Sequence, residues 1–168
     1  MEPSHYGSLD VLTGLRNRYW LERTLGRQMQ RARVDETPLS IILIGVDHLN
    51  QFYEKYGTAY GNRVLYSLAH TISDHLRPRE VVARYSNSDF LVLLPDKNLS
   101  AAAAVADRLK KEIMEAVPIM PDGRRKPHPT VSMGIVEMET EDTAGTLFQT
   151  VEAALYPAGD TAEYGVPG

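Results

Sequence analysis

Cysteine is absent from the 168 residues. That absence excludes a disulfide scaffold, a cysteine-ligated zinc or iron–sulfur site, and a thiol nucleophile. Long apolar runs are missing too. The longest, Ile41 to Val46 with Gly45 inside it, falls far short of the ~20 residues that a membrane-spanning helix needs. The opening Met1-Glu2-Pro3-Ser4-His5 lacks the basic and apolar regions of a signal peptide, so a cytoplasmic location is expected. Basic residues are missing from the last stretch of chain. Residues 127–168 hold no Lys or Arg and seven acids, a local charge of −7, while residues 1–126 carry +3, for a net −4. Such an acidic tail opposes a nucleic-acid polymer or phosphates there.

What is present describes a globule. Hydrophobic residues make up 43% and charged residues 24%, and the length suits a single domain with one good core. Leu21, Leu25 and Met29 recur at four-residue steps and predict a helix over Tyr19 to Val34, with Pro38 beyond it. Ser40 to Val46 is a continuous β-branched run that reads as a central buried strand. A short helix over His48 to Tyr56 stops at Gly57, and a longer one runs from Ala59 to Leu76. Val81 to Tyr85 and Phe90 to Leu94 read as a β-hairpin around Ser-Asn-Ser-Asp. Leu99 to Val117 predicts a helix, Pro118 to Pro129 an exposed loop, Thr130 to Glu137 a strand and Ala144 to Tyr156 a last helix. The order implies an α/β sandwich: helices flanking a mixed, ferredoxin-like sheet of about five strands.

Several blocks together resemble a known family. Asp10-Val-Leu-Thr-Gly-Leu-Arg-Asn-Arg18 is similar to the Asp-x-Leu-Thr-Gly-Leu-x-Asn-Arg opening of GGDEF domains, the diguanylate cyclases. Tyr56-Gly57 with Gly61 resembles that family's Tyr-Gly-His-x-x-Gly-Asp stretch. Ala83-Arg-Tyr-Ser-Asn-Ser-Asp-Phe90 stands where the family has Arg-Tyr-Gly-Gly-(Asp/Glu)-Glu-Phe, so the signature motif is degenerate. Thr130 to Ile135 and Ala153-Ala-Leu-Tyr156 resemble the late strand and last helix. The resemblance covers nearly the whole chain and implies a nucleotidyl-cyclase-like fold, with residues 1–168 as one such domain cut from a longer signalling protein. Taken as structure alone, Asp10 and Thr13 are expected to cap the first helix.

The family joins two GTP molecules into cyclic di-GMP, a phosphoryl transfer that needs a divalent cation held by oxygen ligands. The resemblance places one acidic ligand at Gly45 and the other at Ser88, and neither side chain is acidic here. Asp47 and Asp89 remain nearby as the only means of rebuilding the site. The family's phosphate-binding Lys falls on Asn50, its guanine-reading Asn on Tyr53 and its guanine-reading Asp on Asn62. The paired glycines of the hairpin fall on Ser86 and Asn87, ahead of Asp89 and Phe90. The late Lys and Arg that meet the triphosphate fall on Gly159 and Glu163. Altered metal, base and phosphate positions imply a domain that turns over no GTP and needs no cofactor, acting instead as a regulatory or interaction module. Mg²⁺ enters only under the rival reading, an active cyclase with a rebuilt metal site. A third reading is a domain that senses GTP or cyclic di-GMP without turnover.

Arg77-Pro-Arg-Glu80 stands where the family often carries an inhibitory Arg-x-x-Asp product site, making Arg77, Glu80 and Arg84 candidate contacts to cyclic di-GMP. The competing reading is a solvated charged bend after a helix. The implied partners are a sensor domain and an EAL phosphodiesterase domain in the same chain, a second copy, or cyclic di-GMP. The five histidines show no metal-ligand spacing, and Arg124-Arg125-Lys126 reads as a solvated loop.

Overall fold

In the computed structural model, residues 7–155 are described. Among these residues five helices and four strands follow in the order α1 (Arg18–Asp35), β1 (Leu39–Val46), α2 (Leu49–Tyr56), α3 (Thr58–Asp74), β2 (Val81–Arg84), β3 (Asp89–Pro95), α4 (Leu99–Glu115), β4 (Val131–Glu137) and α5 (Ala144–Leu155). The strand order is β2-β3-β1-β4, and every neighbouring pair is antiparallel.

β1 explains the architecture. Every one of its residues is buried, so both faces of the sheet are covered and its sequence runs apolar without alternation. Ile42, Ile44 and Val46 belong to one core with Leu65, Leu68 and Ile72 of α3 and Val105 and Leu109 of α4. Leu39, Ile41 and Leu43 belong to a second core with Leu21, Leu25 and Met29 of α1 and Leu147 and Val151 of α5. Each fully buried Ile or Leu contributes about 1.5–3 kcal/mol relative to exposure, so β1 anchors both layers.

The sheet differs from expectation in two respects: it has four strands among the described residues, and it is antiparallel rather than mixed. The parallel element is a single bridge between Arg16 and Ala83. Residues 9–16 fold back on themselves, with Leu9 bridging Arg16. Asp10 Oδ2 accepts from Thr13 N at 3.0 Å and Thr13 Oγ1 at 2.6 Å, and Gly14 takes φ +76°. Asp10 and Thr13 therefore close this turn. The cap of α1 is Asn17, whose side chain accepts from Trp20 N at 3.0 Å.

α5 lies unusually close to β4. A Cβ on Gly134 would stand 2.7 Å from Leu155 N and 2.9 Å from Val151 O, so only glycine permits this approach. The Pro118–Pro129 segment is a small folded excursion: Ile119 bridges Arg125, and Gly123 turns it with φ +87°. No helix among the described residues is long and apolar enough to cross a membrane.

Candidate functional site

The site region forms where β1 and β3 end side by side. Gly45 pairs with Asp89 on one flank and Ser132 on the other. Val46 N donates to Ser88 O at 2.8 Å, which brings positions 45 and 88 to adjacent strand ends. The hairpin between β2 and β3 is tight: Tyr85 N donates to Asp89 O at 2.9 Å, and Ser86 Oγ donates to Asp89 Oδ2 at 2.7 Å. Ser88 Oγ lies 3.4 Å from Asp89 Oδ1 as a donor. Asp89 is buried.

Asp47 follows β1 directly. Thr130 Oγ1 donates to its Oδ2 at 2.6 Å and Ser132 Oγ to its Oδ1 at 2.8 Å, so both oxygens accept hydrogen bonds that clamp β4 to the end of β1. The donor set does not fit a divalent cation. Gly45 offers backbone only, Ser88 brings a neutral hydroxyl, and the two remaining carboxylates are hydrogen-bonded to protein hydroxyls. Among the described residues, no group of three or more His, Asp or Glu is placed to hold a metal ion.

Above these strand ends opens a cleft of about 710 Å³, lined by Asp10, Asn17, Arg18, Asn50, Tyr53, Arg84, Ser86 and Asn87 among others. Asn50 is exposed on its wall. Tyr53 is turned against the start of α3: its hydroxyl donates to Asn62 Oδ1 at 2.6 Å, and its ring occupies the space over Gly61. Burial raises the Tyr53 phenol above its usual range, with Arg84 opposing the shift. Tyr53 and Asn62 are thus brought together, each satisfying the other.

Arg84 is committed to the scaffold. Its Nη1 donates to Asp10 Oδ2 at 3.0 Å, its Nε donates to Ser86 O at 2.9 Å, and its Nη2 donates to Asn87 O. One guanidinium thereby ties the N-terminal turn to the hairpin. Glu80 is occupied elsewhere. It accepts from Arg77 N at 2.8 Å and pairs with Lys97 at 3.6 Å, its side chain only 4% exposed. Arg77 is exposed. No hydrogen bond or ion pair links Arg84 to Arg77 or Glu80 among the described residues, and Arg84 lines the cleft instead. Gly159 and Glu163 lie outside the described residues.

Sequence reasoning missed a second anchor of the hairpin. The Arg18 guanidinium sits 3.8 Å from the Tyr85 ring centroid and 4.9 Å from that of Phe148. The Tyr85 hydroxyl donates to Glu152, and burial followed by that hydrogen bond pushes its phenol far up. Arg18 carries a signal as the last residue of the N-terminal motif. Glu152 carries none, since it lies 67 residues from its partner.

Comparison with known proteins places these features in a family. The family model described as "Diguanylate cyclase, GGDEF domain" matches residues 7–163. The response regulator PleD of Caulobacter vibrioides is 28% identical over 160 residues, covering 95% of this chain and 35% of PleD. Diguanylate cyclase DgcP of Pseudomonas aeruginosa is 31% identical over 149 residues, covering 89% of this chain and 22% of DgcP. The chain thus spans about a third or less of these curated relatives. Among solved structures, the GGDEF domain of DgcB from Caulobacter crescentus, in complex with c-di-GMP, superposes with TM-score 0.82 at 23% identity, over 93% of this chain and 89% of that one. The isolated GGDEF domain of TpbB (YfiN) from Pseudomonas aeruginosa superposes with TM-score 0.76 at 30% identity, over 92% and 90%.

Proposed function

The chain belongs to the diguanylate cyclase GGDEF domain family, and from that premise we propose that it is a catalytically silent member, serving as a regulatory and interaction module in cyclic di-GMP signalling. The observation that carries this reading is the meeting of Gly45 and Ser88 at adjacent strand ends, where the resemblance calls for two carboxylates and this chain supplies none. Phosphoryl transfer between two nucleotides concentrates negative charge that a cation must neutralise. Asp47 and Asp89, the acids left nearby, already accept hydroxyl hydrogen bonds that hold β4 and the hairpin.

Substrate recognition supports the same reading. The Tyr53 ring lies over Gly61 and its hydroxyl engages Asn62, so the two positions that read guanine in the family are spent on each other. Asn50 replaces a cationic phosphate contact with a neutral amide. What remains intact is the scaffold, with Arg84 and Arg18 fixing the hairpin from both sides. A rigid domain with no turnover acts by docking: onto a second copy, or onto sensor or EAL domains of a longer chain.

Incubating the purified domain with GTP and Mg²⁺ or Mn²⁺ tests the proposal. No cyclic di-GMP above a heat-killed control is expected. Sustained formation of product establishes the rival reading, an active cyclase with a rebuilt metal site.

A further inference from the structure

On the far side of the sheet from α1 and α5, a second cavity of about 160 Å³ lies between α3, the C-terminal end of α4 and the segment that follows it. Its inner wall is apolar, built from Val64, Leu68, Ile113 and Val117, all buried. Two exposed cations, Arg63 and Lys126, stand at its mouth, and none of its lining residues is acidic. Among the described residues neither cation has a carboxylate within ion-pair distance; Arg63 instead lies 5.7 Å from the Tyr60 ring centroid. The outer wall is held in place. Tyr60 donates its hydroxyl to Pro127 O at 2.7 Å, Lys126 N donates to Pro118 O at 2.8 Å, and Arg125 donates to Val117 O at 2.9 Å. The cavity is therefore a formed pocket, not a gap beside a loose loop.

We propose that this pocket binds a small organic anion with an apolar body, its hydrocarbon part against Val64, Leu68, Ile113 and Val117 and its carboxylate between Arg63 and Lys126. An apolar wall alone would favour a neutral ligand, and the unpaired cations alone would favour any solvated anion. Their placement at one mouth selects a molecule that carries both features. The volume sits well below the roughly 300–1,000 Å³ of pockets for drug-sized ligands, so the occupant is a simple monocarboxylate. His128, on the same rim, is held below its ordinary range by burial and adds a neutral imidazole instead of a third charge. This inference is independent of whether the domain turns over GTP.

The test is a titration of the full chain with benzoate, followed by amide chemical shifts. Saturable shifts confined to Arg63, Val64, Leu68, Ile113, Val117, Lys126 and His128 are expected at about millimolar concentration. Benzyl alcohol and inorganic phosphate serve as probes of the two halves and are expected not to saturate. Arg63→Gln and Lys126→Gln change exposed side chains, so folding should persist, and each is expected to weaken benzoate about tenfold. Absence of saturation up to about 10 mM benzoate overturns the proposal. So does equal binding of benzyl alcohol or phosphate, or benzoate affinity unchanged in both variants.

Discussion

Tyr53 and Asn62 form a closed pair: the phenol donates to the amide oxygen at 2.6 Å while the ring covers Gly61. The pair locks α2 to α3 across the sharp break at Gly57, whose φ of +90° ends one helix and admits the next. Tyr53→Phe removes the donor and leaves Asn62 with an unpaired oxygen. The expected cost is about 1 kcal/mol by urea denaturation, with little change in m-value. Gly61→Ala is expected to cost more, because its Cβ would meet the Tyr53 ring at 2.6 Å.

Arg84 and Asp10 give a separate prediction. Their side chains are 11% and 22% exposed, and the guanidinium also binds the hairpin carbonyls of Ser86 and Asn87. Arg84→Ala removes the charged hydrogen bonds at once, so a loss of about 1.5–3 kcal/mol is expected. Amide exchange should quicken in residues 10–15 and 85–89 before it does in β1, since both segments share that one anchor.

The sequence made some of this legible and not the rest, for physical reasons. β1 was readable because a strand buried on both faces is apolar without alternation. The hairpin was readable because turn residues separate two short apolar, strand-like runs. A sheet of about five strands was expected, and four form among the described residues. The substituted positions 45 and 88 were legible from motif spacing alone. The Tyr53–Asn62 pair was not, because it depends on the angle between two helices. Nor was the Tyr85–Glu152 contact, which joins residues far apart in the chain.

Gly134→Ala probes the close approach of α5 to β4. The added Cβ would fall within 3 Å of two backbone atoms, Leu155 N and Val151 O, and backbone yields less readily than a flexible side chain. A destabilisation of about 1–3 kcal/mol is expected. The effect should appear as early loss of α5 protection, while α3 and α4, which pack on the opposite face, keep theirs.

The pH dependence of stability should carry a contribution from His128. Burial depresses its folded pKa below 6.5, and the hydrogen bond with Pro129 O opposes the shift. A depressed imidazole stabilises the fold above the unfolded value and loses that stabilisation as pH falls through the folded value. Stability should therefore decline as pH drops below about 6.5, and His128→Gln should flatten that part of the profile. A slope unchanged by the substitution would assign the acid sensitivity to other groups.

Gly45→Asp with Ser88→Glu tests the missing-ligand account directly. The register sets position 45 opposite Asp89, so the new carboxylate meets a buried like charge on the same face. Like charges directly across a sheet repel, and the double variant should unfold several degrees below the parent in metal-free buffer. Adding Mn²⁺ should recover much of that loss in the double variant and leave the parent unchanged, because a cation bound only to the folded state stabilises it by mass action. Cyclic di-GMP should still not form, since Tyr53, Asn62 and Asn50 remain as they are. Metal-dependent stabilisation without turnover would separate the loss of the cation site from the loss of nucleotide recognition; an equal response of the parent to Mn²⁺ would show that the parent already binds the ion.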